Sequence, residues 1–166
     1  LFLNGKSLGK KTKGKLEYRL RWDDVVYQPG ELKVVACKNG KTWATDVMKT
    51  TGSATKLTLT PDREKITADG KDLSFVTVKV ADKDGLLVPR SKNQLKFKID
   101  GPGEIVATDN GDATSFESFQ APERKAFNGM ALVIVRTKPG EAGKITLTAE
   151  ADGLKAGECV IRGVAQ

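Results

Sequence analysis

The chain has 166 residues, 28 Lys+Arg against 21 Asp+Glu for a formal net charge of +7, two cysteines and no histidine. Without histidine, Ser-His-Asp and Cys-His nucleophile activation, imidazole general-base chemistry and most zinc sites are excluded. No apolar run approaches the roughly 20 residues of a membrane-spanning helix, and 39% hydrophobic residues mark a globular chain able to bury a core.

Apolar residues nowhere recur at helical spacing, while alternation with period two recurs throughout, so strand is the dominant expectation. Leu1–Leu3 runs into Asn4-Gly5-Lys6, and Asn-Gly between apolar stretches is a strong hairpin signal. A Lys-rich loop, 10–15, follows. Leu16 to Trp22 alternates strictly, which predicts a strand with Leu16, Tyr18, Leu20 and Trp22 on its inner face. Tyr27-Gln28-Pro29-Gly30 reads as a turn, Leu32–Cys37 as a strand, Asn39-Gly40 as a second hairpin turn and Thr42–Thr50 as the returning strand. The small polar stretch after it has the composition of a linker, placed at 52–55 between a module at 1–51 and one at 56–166.

Past this stretch, Lys56–Thr60 and Lys65–Ala68 predict two short strands around Pro61-Asp62. Leu73–Val80 is the longest alternating run, and its phase conflict near Phe75 and Val76 suggests a bulge. Leu95, Phe97 and Ile99 face inward on the next strand, and Gly101-Pro102-Gly103 and Asp109-Asn110-Gly111-Asp112 bracket a strand at Glu104–Thr108. The long stretch from Asp109 to Gly129 is expected to be packed down by its own rings, with Phe119 and Phe127 covering the open end of a sandwich. Met130–Thr137, Lys144–Ala151 and Cys159–Arg162 complete seven or eight short strands at roughly 10-residue spacing, the pattern of a β-sandwich. The chain therefore reads as all-β, two immunoglobulin-like β-sandwich modules. The first has too few strands for a whole sandwich and is expected to be its C-terminal part, in a piece of a longer protein. Cys37 and Cys159 fall in different modules and are read as unbridged small apolar strand residues.

Particular residues add to this pattern. Leu1-Phe2-Leu3-Asn4-Gly5-Lys6-Ser7-Leu8-Gly9, Trp22 and Tyr27-Gln28-Pro29-Gly30-Glu31-Leu32 resemble the β-sandwich that follows the catalytic barrel in bacterial β-galactosidases of glycoside hydrolase family 2. Ala68-Asp69-Gly70-Lys71-Asp72-Leu73, Gly101-Pro102-Gly103-Glu104, Glu117-Ser118-Phe119-Gln120 and Arg124-Lys125-Ala126-Phe127-Asn128-Gly129 are similar to the C-terminal immunoglobulin-like domain of the same enzymes. The resemblance implies a bacterial parent, periplasmic or secreted, that hydrolyses terminal β-glycosidic bonds. Its partners for this chain would be its own upstream barrel and sandwich domains. The family's carboxylates sit on a (β/α)₈ barrel of about 250 residues, for which this chain has no matching positions.

Candidate sites divide accordingly. No catalytic, cofactor or metal residues are assigned. Asp23-Asp24 and the group Glu104, Asp109, Asp112 and Glu117 are the local carboxylate groupings, and adjacent strand residues such as Asp23 and Asp24 would point to opposite faces. Asp82-x-Asp84-Gly85 and Asp109–Asp112 offer oxygen ligands for calcium, yet lack the EF-hand spacing and are explained by Asx turns. Lys6, Lys10, Lys11, Lys13 and Lys15 carry no interleaved aromatics of a nucleic-acid platform, so no nucleic-acid partner is assigned. Trp43 and Phe116 are the candidate carbohydrate contacts, because an exposed ring can stack on a sugar face. The function expected is a non-catalytic accessory region of a glycoside hydrolase. The alternatives are a carbohydrate-binding module, or a surface adhesin repeat of invasin type, which shares the Ala-Asp-Gly phrase before a Val-rich strand.

Overall fold

The computed structural model describes residues 1–165, which divide after Thr50 into two compact units. In the first, β1 (Phe2–Leu3), β2 (Lys6–Ser7), β3 (Glu31–Lys38) and β4 (Lys41–Lys49) form one antiparallel sheet in the order β2-β1-β3-β4. Both expected hairpins are present. Asn4 and Gly5 have φ of 50° and 80°, Asn39 and Gly40 of 53° and 74°, the paired positive values whose twist matches the flanking strands.

The predicted strand at Leu16–Trp22 is absent. No strand lies between Ser7 and Glu31, and Leu16 and Tyr18 are 95% and 93% exposed, while Leu20 and Trp22 are half-buried. Alternation describes a surface with one buried face, but a strand also needs a neighbouring ladder for its backbone groups. Here β2 and β4 hold the edges of the sheet and neither receives residues 16–22.

The second unit is a two-layer sandwich. Its strands are β5 (Lys56–Pro61), β6 (Lys65–Thr67), β7 (Leu73–Ala81), β8 (Gln94–Asp100), β9 (Gly103–Asp109), β10 (Glu123–Lys125), β11 (Met130–Thr137), β12 (Gly143–Glu150) and β13 (Gly157–Val164). One sheet has the order β5-β7-β11-β9 and the other β10-β8-β12-β13-β6, with β6 parallel to β13 and the other pairs antiparallel. Residues 51–55, linker-like in composition, belong to this unit: Gly52 N–H donates to the Asp82 carboxylate and Thr55 N–H to Ala81 C=O.

The core is filled by alternate residues of both sheets: Val76, Val78 and Val80 on β7, Val133 and Val135 on β11, Leu95 and Phe97 on β8, Ile145 and Leu147 on β12, and Cys159 and Ile161 on β13. At about 25 cal/mol per Å² of apolar surface, each such side chain is worth roughly 1.5–3 kcal/mol against remaining in water. Strand β7 has no bulge. Its inner face simply begins with a polar residue, Ser74, whose hydroxyl donates to Arg63 C=O at 2.7 Å, and Phe75 points outward. The irregularity lies instead on β9, where the register on β11 steps from Ala107 to Ile105 and leaves Val106 as the extra residue. A third Asn-Gly pair with both φ values positive, Asn128-Gly129 (50° and 74°), closes a turn between Phe127 and Met130 that the sequence pattern did not single out. At Gly101, φ is +93° and a Cβ would collide with Lys144 C=O, so glycine is required there.

Candidate functional site

The candidate carboxylates are dispersed. Glu104 accepts two hydrogen bonds from Arg136 at 2.8 and 2.6 Å, Asp109 accepts from the N–H of Asn110 and Gly111, Asp112 from the hydroxyl and N–H of Thr114, and Glu117 pairs with Arg124 at 3.4 Å. Each is occupied by its own donor: an arginine for Glu104 and Glu117, groups of its own turn for Asp109 and Asp112. Asp23 and Asp24 lie off any strand and line the same cavity of about 390 Å³ with Trp22, Lys11 and Leu3, where Asp23 is engaged by Arg21 at 3.0 Å. Trp22 Nε1 is buried without an acceptor, and the Lys11 ammonium lies 5.5 Å from the centre of its ring.

The carboxylates of the calcium-like loops are engaged by donors of the chain itself. Asp82 is buried and accepts from the N–H of Gly52, Asp84 and Leu86; the Gly52 N–H foremost holds its carboxyl below the usual range. Asp112 is lowered by the Thr114 hydroxyl and N–H. Asp82 caps its own turn through Asp84 and Leu86 N–H and also ties down Gly52, Asp112 closes an Asx-type turn on Thr114, and among the described residues no group of three or more His, Cys, Asp or Glu converges as a metal would need. The same logic governs the Ala68-Asp69-Gly70 turn, where Asp69 is lowered chiefly by Asp72 N–H and Asp72 by Thr67 N–H.

Both candidate aromatics are exposed, and they lie in different units. Trp43 on β4 is 73% exposed, with the Lys38 ammonium 5.6 Å from its ring centre, and Phe116 is fully exposed. The stretch carrying Phe116 is held down, but not by its rings: Phe119 is 60% exposed and only Phe127 is half-buried. The anchor is Arg124, 1% exposed, on a short strand that sequence reading passed over. Its guanidinium donates to Thr108 C=O and Ser118 C=O at 2.6 Å each, to Glu117 C=O at 3.1 Å and to the Thr108 hydroxyl at 3.2 and 3.3 Å. Strand β9 ends one sheet and β10 ends the other, so the segment between them crosses the open side of the sandwich, and Arg124 satisfies the carbonyls stranded by the crossing. The signal that could have found it is the exposed-buried-exposed alternation of Glu123-Arg124-Lys125, masked because its buried member is charged.

These two units thus define an all-β chain with an immunoglobulin-like sandwich and turn-bound carboxylates. The family model for glycoside hydrolase family 2 C-terminal domain 5 matches residues 57–160, and the chain belongs to that family. Residues 1–44 match a domain family of unknown function, DUF4982. The β-galactosidase BoGH2A of Bacteroides ovatus is 44% identical over 155 residues, 93% of this chain and 18% of that protein. A β-glucuronidase of Formosa agariphila is 28% identical over 162 residues, 93% of this chain and 16% of that one. Among solved structures, a β-glycosidase from Bacteroides vulgatus superposes with a TM-score of 0.89 at 29% identity, over 97% of this chain and 20% of its own. A glycosyl hydrolase family 2 member from Bacteroides cellulosilyticus gives 0.87 at 34%, over 96% and 22%. The chain thus spans about a fifth of the proteins it matches, and the family resemblance read from the sequence holds.

Proposed function

We propose that this chain is a non-catalytic accessory region of a glycoside hydrolase that cleaves terminal β-galactosides or related β-glycosides with carboxylates carried elsewhere in the parent. The observation that carries this reading is the match of residues 57–160 to a C-terminal domain of family 2 enzymes, in a chain that covers only a fifth of its relatives. The engagement of Glu104, Asp109, Asp112 and Glu117 by structural donors agrees with it, since acid/base and nucleophile roles need carboxyl groups free to meet the substrate. Within the parent, the sandwich would buttress the catalytic domain. The test is direct: the parent hydrolyses a nitrophenyl β-galactoside or β-glucuronide, and the 166-residue chain alone gives no turnover above buffer. Turnover by the chain alone overturns the reading.

We propose further that the first unit contributes the C-terminal strands of a sandwich completed by other strands of the parent. Its support is chemical: Leu32, Val34 and Met48 lie on one face of the sheet and Val35 and Val47 on the other, a register shift between Ala36 and Cys37 leaves Trp43 as the extra residue of β4, and β4 is exposed along its length. A sheet with apolar residues on both faces requires covering on both. Trp43 retains the role of a candidate sugar contact only where that covering leaves its ring free.

A further inference from the structure

The segment from Asn110 to Pro122 is the feature of the sandwich that its architecture leaves unexplained. A crossing between two edge strands needs polar residues and turns; it does not need a fully exposed phenyl ring at its middle and a second, mostly exposed ring three residues on. Yet the segment is fixed at both flanks and beneath. Asn110 Nδ2 donates to Lys125 C=O at 2.9 Å, Thr108 N–H to Phe119 C=O at 2.6 Å, and Phe97 N–H to Pro122 C=O at 2.9 Å, while Arg124 holds Glu117 and Ser118 from below. The Arg124 guanidinium also lies 5.7 Å from the centre of the Phe119 ring. Rings presented on a pre-ordered segment lose little further entropy on contact, which is the economy of a binding surface.

We propose that Phe116 and Phe119 form a contact surface for a neutral oligosaccharide, with Arg124 as the positioning residue beneath. Two observations select this partner. The rings stand among polar side chains, Thr114, Glu117, Ser118 and Gln120, so they form no continuous apolar patch of the kind a dry protein interface buries. A sugar matches that mixture, with a C–H face for the ring and hydroxyls for its polar rim. Charge narrows the class: residues 109–125 hold four carboxylates, Asp109, Asp112, Glu117 and Glu123, against Arg124 and Lys125, and the Arg124 guanidinium is buried and spent on Glu117 and on backbone carbonyls, so the exposed balance is negative and opposes uronic acids and other anionic glycans. The choice of a glycan rests on the reading of the parent as a glycoside hydrolase; the anchoring of the segment does not.

Calorimetric titration of the 166-residue chain with cellotetraose, β-1,4-galactotetraose, xylotetraose and, as the anionic arm, tetragalacturonate tests the proposal without any hydrolytic readout. The expected result is saturable binding of at least one neutral sugar, weakened about tenfold or more in Phe116→Ala at unchanged melting temperature and restored in Phe116→Trp. Arg124→Lys should weaken the same binding although both rings remain, and Phe116→Ala in that background should cost less than in the wild type, because a loosened segment no longer presents the ring. Binding of no neutral sugar, equal affinity in Phe116→Ala, or tetragalacturonate as the best ligand overturns the proposal. So does a change of oligomeric state in Phe116→Ala with sugar affinity intact, which would assign the rings to a protein partner. Each of these outcomes leaves the family reading standing, because that reading is decided by hydrolysis in the parent.

Discussion

In the first unit β4 is exposed along its whole length and β3 is at most half-buried, whereas in the second alternate residues of β7, β11, β12 and β13 are sealed from solvent. Both are built from alternating strands and Asn-Gly hairpins, and both hairpins of the first unit have the twist the sheet requires. What separates them is the second layer. Local pattern and turn chemistry make a sheet, but only a facing sheet converts its apolar residues into a core. The largest expected effect follows from this difference: amides of β3 and β4 should exchange on the order of 10³-fold faster than those of β7, β11 and β12 in the 166-residue chain, measured by hydrogen exchange. Equal protection in the two units would show that the single sheet is stable uncovered. Slowing of β3 and β4 exchange in the longer parent would supply the missing layer directly.

Truncation at matched positions sharpens the same contrast. Leu147→Ala on β12 removes a fully buried side chain and should cost about 2–5 kcal/mol in urea unfolding of the second unit. Met48→Ala on β4, mostly exposed, should change the first unit's signal by roughly 0.5 kcal/mol or less. A comparable loss at both positions would mean that the two sheets are covered alike.

The core of the second unit was legible because nearly every strand there alternates cleanly and is bounded by Gly, Asp or Pro. Three things were not. The stretch Leu16–Trp22 alternates without a partner edge, and pattern carries no information about partners. On β7 the inner face begins with Ser74 rather than an apolar residue, which made a regular strand look bulged, while the real bulge at Val106 sits in a run of apolar residues where a one-residue slip leaves no trace. Arg124 was hidden by its charge, since a buried guanidinium is recognisable only by the carbonyls it meets, and those come from residues 108, 117 and 118. Of the site, the exposure of Phe116 and Trp43 was readable, but what fixes Phe116 in place was not.

Arg124 therefore gives the next effect in size. Arg124→Met keeps much of the volume and removes every donor, leaving the carbonyls of Thr108, Glu117 and Ser118 without their partner inside the unit. A loss of about 3 kcal/mol is expected, with faster exchange confined to residues 109–122 and β10. A neutral outcome would mean that water replaces the guanidinium and that the crossing is held from its flanks alone.

Titration separates the units more finely. The folded-state pKa of Asp82 lies below its unfolded value, so the stability it contributes is present above the ordinary carboxylate range and is lost as pH falls through the lowered pKa. Asp82→Asn should accordingly lower the melting temperature of the second unit at neutral pH, and the gap from the wild type should close on acidification. The first unit's melting should be indifferent to the change. A gap that persists below the native pKa would assign the effect to packing rather than to the charge that binds the Gly52, Asp84 and Leu86 N–H groups.

The smallest effect is chemical and leaves the fold untouched. Cys37 is exposed on β3, and Cys159 is buried on β13, where desolvation, with the Glu158 charge adding to it, pushes the thiol up to about 11. Thiolate, not thiol, attacks a disulfide reagent, so at pH 8 Cys159 is protected both by burial and by its raised pKa. Labelling with a nitrobenzoate disulfide should proceed at Cys37 in the native chain and at Cys159 only after denaturant is added, with Cys37→Ser abolishing the native reaction. Because the first unit is expected to open far more often than the second, raising denaturant gradually should leave Cys159 protected until the sandwich itself unfolds. Reaction of Cys159 at lower denaturant than the loss of the Leu147 core would place β13 outside the cooperative unit. That would move the boundary between weakly and strongly held structure from the end of β4 into the sandwich.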